Sequence, residues 1–225
     1  GELNLKLAVK IISSILTLVM LIQIISIEPV FAADNKPDRP TIIVDGDLKP
    51  VTGYSKEDKY HVKLNWQPVS KASGWDSVYY NLYIQEIDKQ GKTTAYVLKE
   101  GDISGTKALI RDLKPGTIYN FYITAVYKRS VDSVIYISSP SDASNIVTVM
   151  TNLQVSAYPY GNKQIKIEWD DVWNVGGRIG YNLYIADDSA FSNSQPIYIS
   201  PSQIGKDSRI TVNQTSGKLE YIHTV

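Results

Sequence analysis

Tyr80-Asn81-Leu82-Tyr83-Ile84 recurs letter for letter as Tyr181-Asn182-Leu183-Tyr184-Ile185, 101 positions further along the chain. Ahead of each copy lies a related alternating segment, Val62-Lys63-Leu64-Asn65-Trp66 and Ile165-Lys166-Ile167-Glu168-Trp169, and these are 103 positions apart. Two segments repeated in the same order at nearly the same spacing imply one structural unit used twice. A period of about 100 residues is far too long for a solenoid repeat and is the size of one two-sheet sandwich.

Short strand candidates separated by turn residues fill the first unit. They cover Thr41–Val44, Tyr60–Trp66, Val78–Gln85, Thr94–Leu98, Ala108–Arg111, Ile118–Tyr127 and a last stretch over Val134–Ser138 and Asn145–Met150. Seven strands suffice for one sandwich. Alternation assigns the inward faces: Val62, Leu64 and Trp66 on one strand, Tyr80, Leu82 and Ile84 on a second, Tyr119, Phe121, Ile123 and Ala125 on a third. The 16 Tyr and the frequent Val, Ile and Thr suit pleated, half-buried strands. With no Cys, the chain has no disulfide framework, thiol nucleophile or thiolate metal site, so its stability rests on packing.

The segment Leu113-Lys114-Pro115-Gly116-Thr117-Ile118-Tyr119-Asn120-Phe121-Tyr122-Ile123-Thr124-Ala125-Val126 resembles the turn and sixth strand of a fibronectin type III domain. Trp66 resembles that family's strand B tryptophan. Ser139-Pro140-Ser141-Asp142 followed by Ile146-Val147-Thr148-Val149 resembles its last strand. The resemblance implies a tyrosine corner at Tyr119, with a buried ring and a hydroxyl bonded to backbone near Leu113. It implies structural roles for Trp66, Leu113, Pro115, Tyr119 and Trp169. The second unit matches through Trp169, the shared Tyr-Asn-Leu-Tyr-Ile strand and Ile210–Val212, but no Leu-x-Pro-Gly stands before Tyr221. Tyr221 is expected in the sixth strand of that unit, with the C-terminal strands incomplete. The expected fold is all-β: two tandem immunoglobulin-like (fibronectin type III) β-sandwiches after a signal peptide. The expected boundaries are 1–32 for the signal peptide, 33–151 for the first domain and 152–225 for the second.

Lys6 and Lys10 precede an apolar run from Ile11 to Ile27, which ends at Pro29 and Val30-Phe31-Ala32-Ala33. A basic start, an apolar centre and small residues at the exit are the plan of a secretory signal, with cleavage expected after Ala32. The run approaches the length of a membrane span, so retention as an anchor is the competing reading. Export places the remainder outside the cell, secreted or on the surface. Membrane contact is then confined to this segment, and the chain is expected to begin a larger protein.

Lys plus Arg and Asp plus Glu balance at 23 each, which gives no field that would draw nucleic acid. His61 and His223 lack the convergent spacing of a metal site. Asp170-Asp171 and Asp187-Asp188 alternate across a strand rather than face one another, and read as solvated turn residues. No Gly-x-Ser-x-Gly or phosphate-cradling glycine loop occurs, and Gly176-Gly177 reads as a turn. No catalytic, cofactor or metal residue is assigned. The aromatic surplus offers a second function. Trp75 and Trp173 fall between the second and third strands, and Tyr54, Tyr79, Tyr83 and Tyr160 read as outward or in loops, where open rings could stack on sugars. The expected function is a non-catalytic extracellular spacer or interaction module. Its alternatives are binding of polysaccharide or cell-wall glycan, with Trp75 and Trp173 as stacking residues, or service as the accessory region of a polysaccharide-degrading enzyme. Another surface protein is the remaining partner class.

Overall fold

Alternating β-branched and aromatic residues build strands throughout the computed structural model, which describes residues 36–88, 91–186 and 194–225. The expected signal segment lies outside the described residues, as does Asp187-Asp188. In the first half the strands are β1 (Val51–Ser55), β2 (Lys59–Asn65), β3 (Ser77–Ile87), β4 (Val97–Ile103), β5 (Lys107–Leu113), β6 (Ile118–Val131), β7 (Val134–Ile137) and β8 (Val147–Met150). The second half holds β9 (Val155–Pro159), β10 (Gln164–Asp170), β11 (Trp173–Asn174), β12 (Gly177–Arg178), β13 (Tyr181–Leu183), β14 (Ile197–Ile199), β15 (Ile210–Val212) and β16 (Lys218–Thr224). Gly46–Leu48 forms one turn of 3-10 helix.

The first sandwich faces a sheet ordered β1-β2-β5 with one ordered β4-β3-β6-β7, in which β8 also pairs with β6. Its backbone is the antiparallel β3–β6 ladder, paired without a break from Ser77↔Lys128 to Ile87↔Ile118. Val62, Leu64, Trp66 and Ile110 meet Tyr80, Leu82, Tyr119, Phe121, Ile123 and Ala125 between the sheets, all buried. Full burial of each large apolar side chain stabilises by about 1.5–3 kcal/mol relative to exposure.

Between β7 and β8 the chain leaves strand geometry yet still closes the edge of β6. The N–H groups of Ser138, Ser141 and Ser144 donate to the carbonyls of Tyr127, Ala125 and Ile123. Their hydroxyls accept the N–H groups of the same three residues at 2.9, 2.8 and 3.0 Å. A serine at every third position thus services every second strand residue, and the backbone polar groups of the edge are satisfied.

Among the described residues the second sandwich has a four-stranded sheet, β15-β16-β10-β9, and the short pair β13-β14, with β11-β12 as a separate hairpin. Its core gathers Ile167, Trp169, Tyr181, Ile199, Ile204, Ile210, Leu219 and Tyr221. Tyr221 corrects the sequence expectation. β16 lies beside β10, pairing Tyr221 with Ile167, as β5 lies beside β2, so Tyr221 belongs to the counterpart of β5 and not of β6. No counterpart of β6 occurs among the described residues, and Val155 of β9, registered with Trp169 on the inner face, stays 54% exposed.

Two strand expectations shift. Thr41–Val44 contributes an isolated bridge, Ile42↔Trp66, because the chain turns away at Gly46 (φ +68°) and returns as β1 alongside β2. Asn145 fixes that bridge, accepting Ile42 N–H at 2.7 Å and donating to its carbonyl at 3.0 Å. Thr94–Leu98 moves to β4 at Val97–Ile103, since Thr94 is tied to Glu86 by backbone and hydroxyl bonds before pairing with β3 resumes.

Candidate functional site

The repeated letters build the same core device twice. Trp66 and Tyr80 meet edge to face at 5.4 Å and 64°, and Trp169 and Tyr181 do so at 5.5 Å and 66°. The Tyr80 hydroxyl accepts Val69 N–H at 2.8 Å, and that of Tyr181 accepts Val172 N–H at 2.7 Å. Each tryptophan therefore anchors a strand, and each tyrosine ties down the loop that leaves it. Burial pushes the Tyr181 hydroxyl up to about 12. Tyr119 sits under the turn at Leu113 and Pro115, with Leu113 buried, and its hydroxyl accepts Lys114 N–H at 3.1 Å. Burial raises that phenol as well.

Both loop tryptophans are half-buried, and each has a neighbour against its ring. Trp75 stacks on Tyr127 at 5.6 Å and 30°. Trp173 lies beneath the Arg178 guanidinium at 5.0 Å, and its Nε1–H donates to Asp171 Oδ2 at 3.1 Å. Arg178 donates to the same oxygen from Nε at 3.1 Å and Nη2 at 2.8 Å. Asp171 is thus buried rather than solvated, because the turn at Asn174–Gly177 folds a cation back over it. His61 bonds the Lys59 carbonyl from Nδ1 and covers Gly53, and His223 pairs with Ile165 in the β10–β16 ladder. Among the described residues no group of three His, Cys, Asp or Glu converges as a metal site.

An aromatic and amide row occupies the outer face of the β3–β6 ladder. Tyr83 and Tyr122, directly opposed, stack at 4.7 Å and 14°, and Tyr96 sets its edge on Tyr122 at 4.7 Å. Beside them runs a relay in which Thr148 donates to Asn120 Oδ1 (2.7 Å), Asn120 to Gln85 Oε1 (2.8 Å) and Gln85 to the Thr94 carbonyl (2.8 Å). Burial raises the Tyr96 and Tyr122 hydroxyls. Outward alternation marks Tyr83. Tyr96 and Tyr122 join it only through pairing between distant segments. Tyr79 lies under Lys128 at 4.5 Å and Tyr160 under Lys166 at 4.5 Å, while Tyr54 packs on Tyr60 at 4.8 Å.

At the junction of the two sandwiches Ile87, Ile118 and Val172 form a buried cluster with Leu153 and Ile179 against it. Gly116, at φ +56°, leaves no room there: a Cβ would stand 2.7 Å from the Leu153 side chain. Gly116 N–H donates to the Asn152 carbonyl, and the Thr151 hydroxyl donates to Lys114 O at 2.6 Å and accepts Thr117 N–H at 3.0 Å. The adjoining cavity of about 230 Å³ includes Glu86, Lys114, Val172 and Trp173. It falls below the range of about 300–1,000 Å³ usual for small-molecule sites. The Lys114–Glu86 ion pair at 2.7 Å closes one side of it.

Residues 47–135 match the family model of the fibronectin type III domain. No curated protein matches the chain. Solved structures do, among them the twitchin kinase region from C. elegans (Fn31-NL-kin-CRD-Ig26), with 20% identity, a TM-score of 0.33 and a match over 54% of this chain and 18% of that one. The matched residues run from ahead of β1 into β7, within the first sandwich.

Proposed function

We propose, from a first sandwich that is a fibronectin type III domain, that residues 33–151 and 152–225 serve as two rigidly coupled modules of an exported protein, spacing and presenting what is attached to them outside the cell. The observation that carries this reading is the apolar junction, in which Gly116 packs against Leu153 and Val172 and Gly91 against Asn174. A flexible linker would leave such a boundary polar and open. ¹⁵N relaxation on the chain tests it: both modules should share one rotational correlation time, and two distinct times would refute the rigid reading. The exported state rests on the segment ending at Ala32, and N-terminal sequencing of the secreted product should begin at Ala33.

A second reading is binding of a neutral polysaccharide or cell-wall glycan by the outer face of β3 and β6, in an extracellular protein or the accessory region of a polysaccharide-degrading enzyme. The Tyr83–Tyr122–Tyr96 row with its amide relay favours this face over Trp75 and Trp173. Co-sedimentation with insoluble cellulose, chitin or cell wall should be lost in Tyr122→Ala and kept in Trp75→Ala. Absence of binding by the unaltered chain rejects the reading.

A further inference from the structure

Ile167 and Trp169 of β10 and Leu219 and Tyr221 of β16 face the core of the second sandwich, so Lys166 and Glu220 alternate to the outer face of the same sheet. Asn213, just past β15, joins them there. All three are half-buried, and the Lys166 and Glu220 side chains are only 16% and 14% exposed. Glu220 gives one oxygen to each neighbour. Lys166 Nζ stands 3.3 Å from Oε2, and Asn213 Nδ2 donates to Oε1 at 2.6 Å. The Tyr160 ring lies against Lys166 Nζ at 4.5 Å, and Glu168, in register with Glu220, accepts the Tyr158 hydroxyl.

The Asn213 carboxamide is held at both ends. Its Oδ1 accepts the N–H groups of Thr215 and Ser216, each at 2.9 Å. The loop that supplies them is closed by Asn213 N–H on the Lys218 carbonyl and Gly217 N–H on the Asn213 carbonyl, both at 2.8 Å, with Gly217 at φ +68°. A side-chain turn of this kind ordinarily serves only its loop. Here the same amide also presents its nitrogen to a carboxylate that holds an amine. An ion pair would need Lys166 and Glu220 alone; an acyl transfer needs all of it, a nucleophile, a polarised carbonyl and a proton carrier between them. The Asn213 amide, and with it the Lys166 ammonium, holds the Glu220 carboxyl below the usual carboxylate range against the opposing effect of burial, so the group stands ionised and able to accept a proton.

We propose that Lys166 and Asn213 join in an intramolecular isopeptide bond, with Glu220 carrying the protons. The Lys166 ammonium gives one proton to Glu220, and the freed lone pair attacks Asn213 Cγ. The Thr215 and Ser216 N–H groups stabilise the negative charge that develops on Oδ1. Glu220 then protonates Nδ2 and takes a second proton from Nζ as the Cγ–Nδ2 bond breaks. The departing ammonia removes that proton as ammonium, which restores Glu220 and leaves an Nζ–Cγ amide. No oxidant or cofactor is required. The product ties β10 to the end of β15 across β16, a covalent staple in a chain that has no cysteine to make one.

Mass spectrometry of the unfolded chain tests this. Its mass should lie one ammonia, about 17 Da, below that of its sequence. Trypsin should release Gln164–Arg178, uncut after Lys166, joined to Ile210–Lys218. Lys166→Arg keeps the charge without the amine, and Glu220→Gln keeps the shape without the proton carrier. Both should return the full mass and two separate peptides, with an unchanged circular dichroism spectrum; if the glutamine variant fails to fold, Lys166→Arg decides alone. Full mass with cleavage after Lys166 in the unaltered chain would overturn the proposal. So would loss of ammonia without the joined peptide, which marks a succinimide at Asn213, or a loss that persists in Lys166→Arg. A joined peptide in Glu220→Gln would remove Glu220 from the reaction.

Discussion

Tyr-Asn-Leu-Tyr-Ile folds under different conditions in the two sandwiches. In the first it belongs to an 11-residue strand flanked by β4 and β6, and Tyr80, Leu82 and Ile84 are buried while Asn81 and Tyr83 are half-buried. In the second only Tyr181–Leu183 of these five is strand, pairing with β14 alone among the described residues, and only Tyr181 is buried. Tyr83 stacks on Tyr122, whereas its twin Tyr184 is 50% exposed. Identical letters thus give the same tryptophan–tyrosine anchor but not the same strand. The anchor is made within one sandwich corner, whereas strand length is set by neighbours contributed from far away in sequence.

The largest effects should come from the shared anchor. Trp66→Ala and Trp169→Ala should each cost about 3–5 kcal/mol. In urea unfolding followed by circular dichroism, Trp169→Ala should bring down a separate second-sandwich transition and leave the first near its original midpoint. Joint collapse would show that the two cores unfold as one cooperative unit. Gly91→Val comes next. Its Cβ would stand 2.4 Å from the Asn174 carbonyl oxygen, on backbone that cannot swing aside, and at φ +78°. Overpacking of this kind costs about 1–3 kcal/mol, and here it should also separate the two tumbling times. Tyr80→Phe leaves the part-buried Val69 N–H, and Tyr181→Phe the buried Val172 N–H, without its acceptor, at about 1–3 kcal/mol, and similar losses of melting temperature would show that the anchors are equivalent. Tyr119→Phe should cost about 1 kcal/mol.

Alkali gives the subtlest comparison. Tyr181 holds its proton up to about 12 against an ordinary value near 10, so the neutral phenol favours the folded state. Its contribution is full below pH 10 and lost as pH rises from 10 through 12. The urea midpoint of the second transition should therefore fall between pH 10 and 12, and Tyr181→Phe should flatten that fall.

Much of the fold was legible because it is local. Alternation in Tyr60–Trp66, Val78–Gln85 and Ile118–Tyr127 reports directly which side chains face inward. β1 carries Gly53 and no fully buried residue, and β4 is exposed over six of its seven residues, so neither displays a clean period. Tyr221 was misplaced because the counterparts of β5 and β6 both alternate apolar residues, and only pairing with β10 tells them apart. The surface chemistry was less legible still. Whether Trp75 is open depends on Tyr127, whether Asp171 is solvated depends on Arg178, and the Tyr83 row is assembled from three separated segments.

The serine ladder along β6 also acts as a gauge of chain length. Because Ser138, Ser141 and Ser144 must arrive in phase with Tyr127, Ala125 and Ile123, the residues between them are free in identity but fixed in number. Replacing Ser139, Asp142 or Ala143 leaves every rung in place. Adding or deleting one residue anywhere from Ser139 to Ala143 throws the hydroxyls beyond it out of step and strips the strand edge they cover. The stretch can be rewritten letter by letter, but its length is held between β7 and the Phe121↔Val147 pair where β8 takes over the edge.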